Sequence, residues 1–324
     1  MQQSFGFEVV MNAGSGCRAA LERQAIVERV LGEGGRAVRV HMVRRPRQLH
    51  SQIQAAVRRA QDSAAAVVAA GGDGTINAVV QQVLGSGLKF GALPQGTFNF
   101  FGRSHGLSED IETAARDLLD AELREVQVGL VNERVFLINA SLGLYRRLLQ
   151  DREQYKQRLG RSRLVALWAG FNTLLRTQRR LRLRIQGAEG EHCEDVLTLL
   201  AANNRLQLEQ LGVPDPGRVE RGELLGIQLK PQSRWALLQL ALRGLAGLWE
   251  NTDQAAAFGF HELIVEPARG GRRRLRLALD GEVLRMQPPL RFRVSPQRLP
   301  LLVPRTTLEP TAAAAADAIA EPAG

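Results

Sequence analysis

Residues Ala65–Asn77 read AAVVAAGGDGTIN: a six-residue apolar run passes straight into a glycine cluster and then into a helical pattern. An unbroken apolar run of that length reads as a strand buried on both faces, as in a parallel sheet. Gly71-Gly72-Asp73-Gly74-Thr75 lets the backbone approach a ligand closely, and the helix expected over Ile76–Leu84 offers free amides and its positive end to an anion. Asp73 by itself repels phosphate. It fits as an acceptor for ribose or backbone hydrogen bonds, or as a carboxylate for Mg²⁺, held directly or through water. A tight turn with a capping Asp or Thr is the alternative reading.

The same rhythm continues on either side. Upstream lie a strand at Phe7–Met11, a helical RAALERQAIVERVL stopped by Gly32, Gly34 and Gly35, a strand over Arg36–Val43 and a helix over Pro46–Ala60. Downstream come a strand over Leu88–Leu93 and a helix starting at Ser108 as N-cap, with Glu109, Asp110 and Glu112 in its first turn. Strands alternating with helices specify an α/β domain built on a parallel sheet. The first strand ends in Asn12-Ala13-Gly14-Ser15-Gly16 and the fourth in Leu93-Pro94-Gln95-Gly96-Thr97-Phe98-Asn99. Three polar, glycine-bearing turns therefore meet at the carboxyl edge of the sheet, where open α/β folds bind ligands. No GxxxxGK[ST] is present, and no GxGxxG opens the first helix, which argues against P-loop and dinucleotide sites.

After Glu125 the pattern changes. A hairpin is expected around Asn132-Glu133, then a helix over Tyr145–Thr177, then strands over Leu181–Ile185, Val196–Ala202, Leu224–Leu229, Phe260–Val265, Leu275–Leu279 and Leu290–Val294. The expected organisation is an α/β nucleotide-binding domain over 1–125, a β-rich, sandwich-like lipid-substrate domain over 126–305 whose last strand returns to the first domain, and a disordered Ala-rich tail over 306–324.

Lys+Arg exceeds Asp+Glu by 43 to 33, a formal charge of +10, and only Lys89, Lys156 and Lys230 are lysines. That charge suits an anionic lipid surface, nucleic acid or nucleotide. With aromatics at 5% there is no stacking platform, so a nucleic-acid partner is not expected. Two cysteines make no disulfide framework, and no Cys/His cluster suggests zinc. No signal peptide and no transmembrane run is read. Trp235–Trp249 reads as an amphipathic helix packed on a core, with a membrane-interface reading beside it. The runs Arg176–Arg184 and Arg269–Arg276 are either solvated strand faces or a basic surface for lipid headgroups. His50, His105, His192 and His261 have no ligand spacing and read as structural.

GGDGT after strand three, LPxGTxN after strand four and the Asn-initiated turn after strand one resemble the diacylglycerol kinase catalytic domain family. The resemblance continues in Phe136–Gly143 (FLINASLG), Asn203-Asn204, Gly222-Glu223-Leu224-Leu225 and Leu279-Asp280-Gly281-Glu282, so it runs from about Phe7 to Pro304. It implies an ATP- and Mg²⁺-dependent kinase that phosphorylates a hydroxyl of diacylglycerol or a related lipid in phospholipid metabolism. Phosphoryl transfer needs positioning, charge neutralisation and a carboxylate that takes the hydroxyl proton. The resemblance gives that last role to Asp280 and Glu282. It gives nucleotide contacts to Asn12, Ser15, Gly16, Gly71, Gly72, Asp73, Gly74, Thr75, Asn77, Gly96, Thr97 and Asn99, and the metal to Asp73. From the residues alone, Asp280-Gly281 is equally an ordinary hairpin turn. The implied partners are a lipid substrate and, peripherally, the anionic inner face of a membrane approached from the cytoplasm; a homodimer is left open. Departures stand at Ala13 (commonly Pro), at Cys17-Arg18 (often with a Lys nearby), at His41 (Thr), at Phe100 (Asp) and at Arg221 (the Asp of a metal-holding Asp-Gly). These departures keep two alternatives open, a non-catalytic nucleotide- or lipid-binding relative and a kinase of a soluble acceptor.

Overall fold

The computed structural model describes residues 5–13, 17–33, 35–143, 180–188, 190–231, 233, 255–269 and 274–305. Ser15 and Gly16, the helix read over Tyr145–Thr177, the Trp235–Trp249 segment, residues 176–179 and 270–273 of the two Arg runs and the tail from Thr306 lie outside them, as do the side chains of Cys17 and Arg18.

The chain forms β1 (Phe7–Asn12), α1 (Cys17–Gly32), β2 (Val38–Val43), α2 (Leu49–Ser63) behind a 3-10 turn at Pro46–Gln48, β3 (Ala66–Gly71), α3 (Asp73–Val83), β4 (Phe90–Pro94), α4 (Phe100–Ser104) and α5 (Ile111–Leu119). There follow β5 (Glu122–Val126), β6 (Gly129–Val131), β7 (Arg134–Phe136), β8 (Asn139–Gly143), β9 (Leu181–Gly187), β10 (Gly190–Val196), β11 (Thr198–Ala202) and α6 (Arg205–Gln210). The last strands are β12 (Leu224–Leu229), β13 (Ala255–Phe260), β14 (Glu262–Pro267), β15 (Leu275–Leu279), β16 (Glu282–Met286), β17 (Leu290–Val294) and β18 (Leu299–Val303).

The first sheet has the order β2-β1-β3-β4-β18-β5. Its first four strands are parallel, and β3 is buried along its whole length, as its continuous apolar sequence requires. Two cores flank it. Alternate residues Phe7, Val9 and Met11 pack under α1 and α5, while Val10, Val67 and Ala69 pack under α2 and α3. Helices on both faces make this a doubly wound α/β unit. The β2-β1-β3 order places a topological switch beside β1, so the β1 and β3 carboxyl ends flank a crevice.

The other sheets are antiparallel, in the orders β10-β9-β14-β17-β6-β7 and β13-β12-β11-β8-β15-β16. Their inward residues, among them Leu183, Val265 and Phe292 from one sheet and Leu142, Leu199 and Leu277 from the other, share a single core. The chain is thus α/β with a β-rich sandwich in its second half.

Several boundaries differ from the sequence reading. α3 begins at Asp73, inside the glycine cluster, rather than at Ile76. The cap of α5 is Asp110, whose carboxylate accepts from Thr113 N at 2.9 Å, while Ser108 Oγ accepts from Asp110 N. β5, β10, β13, β16 and β18 were not among the expected strands.

β18 lies between β4, to which it is parallel, and the antiparallel β5. Leu299, Leu301 and Val303 on it are fully buried in the core that also holds Phe90, Val126 and Leu137. The C-terminal strand therefore closes the first sheet. Leu301→Ala is expected to lower stability by about 2–5 kcal/mol in urea denaturation, in one cooperative transition; a loss below about 1 kcal/mol would show that β18 adds little to the sheet.

Candidate active site

The carboxyl ends of β1, β3 and β4 converge through side chains of the glycine turns. Asn12 Nδ2 at the end of β1 donates to Thr75 Oγ1 at 3.0 Å, and Thr75 is buried in the first turn of α3. Gly72 precedes that turn in extended conformation, and no side chain caps the helix. The first amides of α3 are thus left for a ligand, with the helix's positive end behind them.

The β3 and β4 turns touch backbone to backbone. A Cβ on Gly96 would lie 2.7 Å from Gly72 Cα and 2.8 Å from Asn99 Oδ1, so only glycine admits this approach. Asn99 folds back into its own loop: Oδ1 accepts from Gly96 N at 2.7 Å, and Nδ2 donates to Gly96 O and to Glu109 Oε1, each at 3.2 Å. Gly96 and Thr97 are exposed beside it, and Phe98 stacks on Phe100 at 5.8 Å.

Asp73 braces the same pair of turns. Its Oδ1 accepts from Phe101 N at 3.1 Å and its Oδ2 from Phe100 N at 3.2 Å, capping α4 from across the gap. Burial raises its pKa, and the two amides pull the other way. Each oxygen keeps one lone pair beyond these bonds. That fits a water-mediated contact to a cation held chiefly by a nucleotide's phosphates. Among the described residues no group of three His, Cys, Asp or Glu could hold a metal by itself.

The second half of the chain delivers another carboxylate. Asp280-Gly281 is a two-residue hairpin between β15 and β16 with φ of 44° and 93°, so the bland hairpin reading is correct as geometry. Its carboxylate is nevertheless drawn inward. Oδ2 accepts from Leu137 N and from Asn77 Nδ2, both at 2.7 Å; Oδ1 accepts from Ile138 N and Asn139 N, both at 2.9 Å. Desolvation pushes the Asp280 pKa up to about 6 even though all four donors favour the anion. Glu282, next along the turn, is exposed, with Oε1 3.7 Å from where a Cβ on Gly74 would stand. The DGE hairpin and the first turns of α3 therefore lie side by side.

Asn77 is placed differently from its expected nucleotide contact: its amide joins α3 to Asp280 and to Val135 O at 3.0 Å. Asn203 and Asn204 also turn out to be braces. Asn203 exchanges hydrogen bonds with Gln127, and Asn204 donates to Phe100 O and Ser104 Oγ, tying α6 to α4. His41 is buried away from the turns, its Nε2 2.5 Å from Glu8 Oε2. Arg221, where relatives were read to carry a metal-holding Asp, pairs with Asp215 at 2.6 Å. Arg184 pairs with Glu191 and Glu266, so at that position the basic run is a neutralised strand face. His105 packs on Phe101 and burial lowers its pKa to about 4, which keeps it neutral.

Asp73→Ala strands the amides of Phe100 and Phe101 and is expected to cost about 1–3 kcal/mol, with faster hydrogen exchange at those two amides. Exchange unchanged from wild type would show that the carboxylate does not hold the turn.

The comparisons with known proteins agree with this geometry. Residues 7–131 match the family model of the diacylglycerol kinase catalytic domain. Diacylglycerol kinases of Staphylococcus epidermidis and Bacillus subtilis are 40% identical over 79 residues and 39% identical over 88 residues. Those stretches cover 24% and 26% of this chain, and 25% and 29% of the relatives' own length. A solved structure described as a diacylglycerol kinase of Bacillus anthracis superposes with TM-score 0.67 over 95% of this chain and 100% of its own, at 13% identity, so the likeness shows the fold. A second chain from that organism reaches 0.72 at 14% identity. Residues 7–131 of this chain are thus similar to the diacylglycerol kinase catalytic domain, and the chain spans only about a quarter of the length of the curated relatives it matches.

Proposed function

We propose that the protein is an ATP- and Mg²⁺-dependent lipid kinase that transfers the γ-phosphoryl group to a hydroxyl of diacylglycerol or a related lipid. The observation that carries this reading is the 2.7 Å bond between Asn77 on α3 and Asp280 on the DGE hairpin, which sets an acceptor-side carboxylate against the phosphate-side helix end. The family match over 7–131 and the names of the relatives support it. We assign the nucleotide to the 1–125 unit and the lipid to 126–305.

In this reading the phosphates rest on the uncapped first turn of α3 and on the turns of Asn12, Ser15, Gly16, Gly96 and Thr97. Bound Mg²⁺ supplies charge neutralisation on the transferring phosphoryl group. Asp73 and Asn99 keep the β3 and β4 turns in register. Asp280 takes the proton of the lipid hydroxyl, with the Asn77 amide as the donor it releases. Its pKa near 6 makes it a stronger base than an ordinary aspartate while leaving it mostly ionised at pH 7. Exposed Glu282 orients the acceptor beside Gly74. A peripheral approach to an anionic membrane from the cytoplasm, by a monomer or a homodimer, accompanies this function; no helix among the described residues is long and apolar enough to cross a membrane.

A second reading, a relative that binds nucleotide or lipid without transfer, is favoured by the four donors already on Asp280. Purified protein incubated with labelled ATP, Mg²⁺ and a total lipid extract in mixed micelles separates the two. The kinase yields a labelled lipid, and Asp280→Asn lowers turnover by about 10²–10⁴ while ATP binding persists. ATP binding without any labelled lipid establishes the second reading instead.

For the kinase, kcat/KM is expected to fall about tenfold per pH unit below about 6 and to level off above it. Between its unfolded value of 3.8 and about 6 the folded chain binds the Asp280 proton more tightly, so this group's contribution to stability declines as pH rises through that window. A rate profile flat from pH 5 to 8 would remove Asp280 from the proton transfer.

A further inference from the structure

The antiparallel sandwich has two ends of opposite character. At one end β15 turns into β16 through the DGE hairpin, with β8 starting beside it at Asn139. At the other end β8 stops at Gly143, β12 stops at Leu229, β9 starts at Leu181 opposite Val196, and β15 starts at Leu275 opposite Met286. Residues 268–274 and 287–289 pass between the two sheets at this far end, joining β14 to β15 and β16 to β17. Arg180, Arg182, Arg269, Arg274, Arg276 and Arg285 all stand within two residues of these strand ends, and all six are exposed. Arg276 and Arg285 are direct partners across the β15–β16 ladder, where like charges destabilise a hairpin.

Elsewhere the sandwich neutralises its arginines: Arg184 pairs with Glu191 and Glu266, Arg291 with Glu262, and Arg293 with Glu133. At the far end it does not. Among the described residues none of the six guanidiniums has a carboxylate within ion-pair distance, and of the acids nearby Glu194 is taken by Lys230, which leaves Asp195. The sequence that joins Gly143 to Arg180 departs from this end and returns to it. Residues 144–179 hold nine Lys and Arg against two Asp and Glu, with Trp168 and Phe171 among leucines. Cations combined with Trp, Phe and Leu are the composition of a bilayer interface, whereas a purely basic surface suits nucleic acid equally. Anionic headgroups supply the missing counter-charge, since one phosphate accepts from two guanidiniums at once. We propose that the far end of the sandwich is the face that docks on an anionic phospholipid bilayer. Four residues of strand, roughly 14 Å, separate Arg276 from Asp280. The docked hairpin then stands within the length of one leaflet's lipid, roughly 20 Å, so an acceptor drawn up from the bilayer can meet the DGE carboxylates. This rests on the lipid-kinase reading for its purpose and adds the surface that meets the membrane.

The test is co-sedimentation of the full chain with vesicles of phosphatidylcholine alone and of phosphatidylcholine mixed with phosphatidylglycerol. Wild type is expected to bind the mixed vesicles, less so as salt is raised, and to leave the neutral ones. The triple variant Arg274→Gln, Arg276→Gln, Arg285→Gln is expected to bind the mixed vesicles about a hundredfold more weakly, or about fivefold per cation, with its thermal unfolding midpoint unchanged. A matched triple, Arg205→Gln, Arg218→Gln, Arg221→Gln, removes the same charge from arginines that are already paired, and is expected to bind as wild type does. Equal weakening in both variants overturns the proposal, because net charge alone is then responsible. Unweakened binding by the first variant also overturns it and leaves those arginines as charged guards of an exposed edge strand. Wild type that ignores the mixed vesicles overturns it too, in favour of nucleic acid where a single-stranded polynucleotide is bound instead. Phosphoryl transfer from labelled ATP to diacylglycerol in the same mixed vesicles separates this from the parent reading. If wild type docks through these arginines and labels no lipid, the docking face stands and the kinase reading falls. If the first variant labels vesicle-borne diacylglycerol as fast as wild type, the docking face alone falls.

Discussion

A carboxylate in a hairpin turn ordinarily faces water, and Asp280 does the reverse: it turns back into the protein and collects four donors from two separate regions. Burying the anion is expensive, as its pKa near 6 records, and only the convergence of donors keeps it mostly charged at neutral pH. That convergence dictates geometry. The amides of residues 137–139 fix where β7 hands over to β8, Asp280 N returns a bond to Asn139 O at 2.9 Å, and Asn77 clamps α3 to the same point. The position of Glu282 beside Gly74 and the outward face of β8 both follow from this one anchored turn.

Asp73 repeats the device on a smaller scale. It stands at the amino end of α3, where a carboxylate is favoured by the dipole, but each of its oxygens accepts an amide hydrogen bond, from Phe100 and Phe101. The negative charge is thereby directed away from the α3 amides and toward a neighbouring turn. A phosphate can then approach the helix end next to an aspartate whose charge is already engaged. The glycine-to-glycine contact of residues 72 and 96 makes this reach possible, because a side chain at residue 96 would hold the turns apart.

The parallel half of the fold was legible because strands buried on both faces carry unbroken apolar runs, of which Ala66–Gly71 is the clearest. Of the missed strands, β10 reads GEHCEDV and lies largely exposed at a sheet edge, whereas β13 (AAAFGF) and β18 (LPLLV) are apolar but carry Gly259 and Pro300, residues that weaken a strand reading. The start of α3 was placed late because glycine suppresses helix propensity, while tertiary contacts of Thr75 with Asn12 hold the first turn in place. The glycine turns and the DGE segment were visible as motifs. What they do was less so, since sequence spacing does not reveal that Asn77, Asn99, Asn203 and Asn204 direct their amides at other protein groups.

The return of β18 to the first sheet bears on how the cleft can work. A chain that crosses from the parallel sheet into the sandwich once leaves two bodies free to swing about a single link. Here it crosses out after β5 and comes back through β18, and the core around Phe90, Leu301 and Val303 runs on through Val128, Leu130 and Leu137. A double crossing with a shared core resists large hinge motion, because opening would expose fully buried leucines on both strands of the connection. The distance between the α3 amides and the DGE hairpin is therefore set by the fold itself, with the Asn77–Asp280 bond as its fine adjustment.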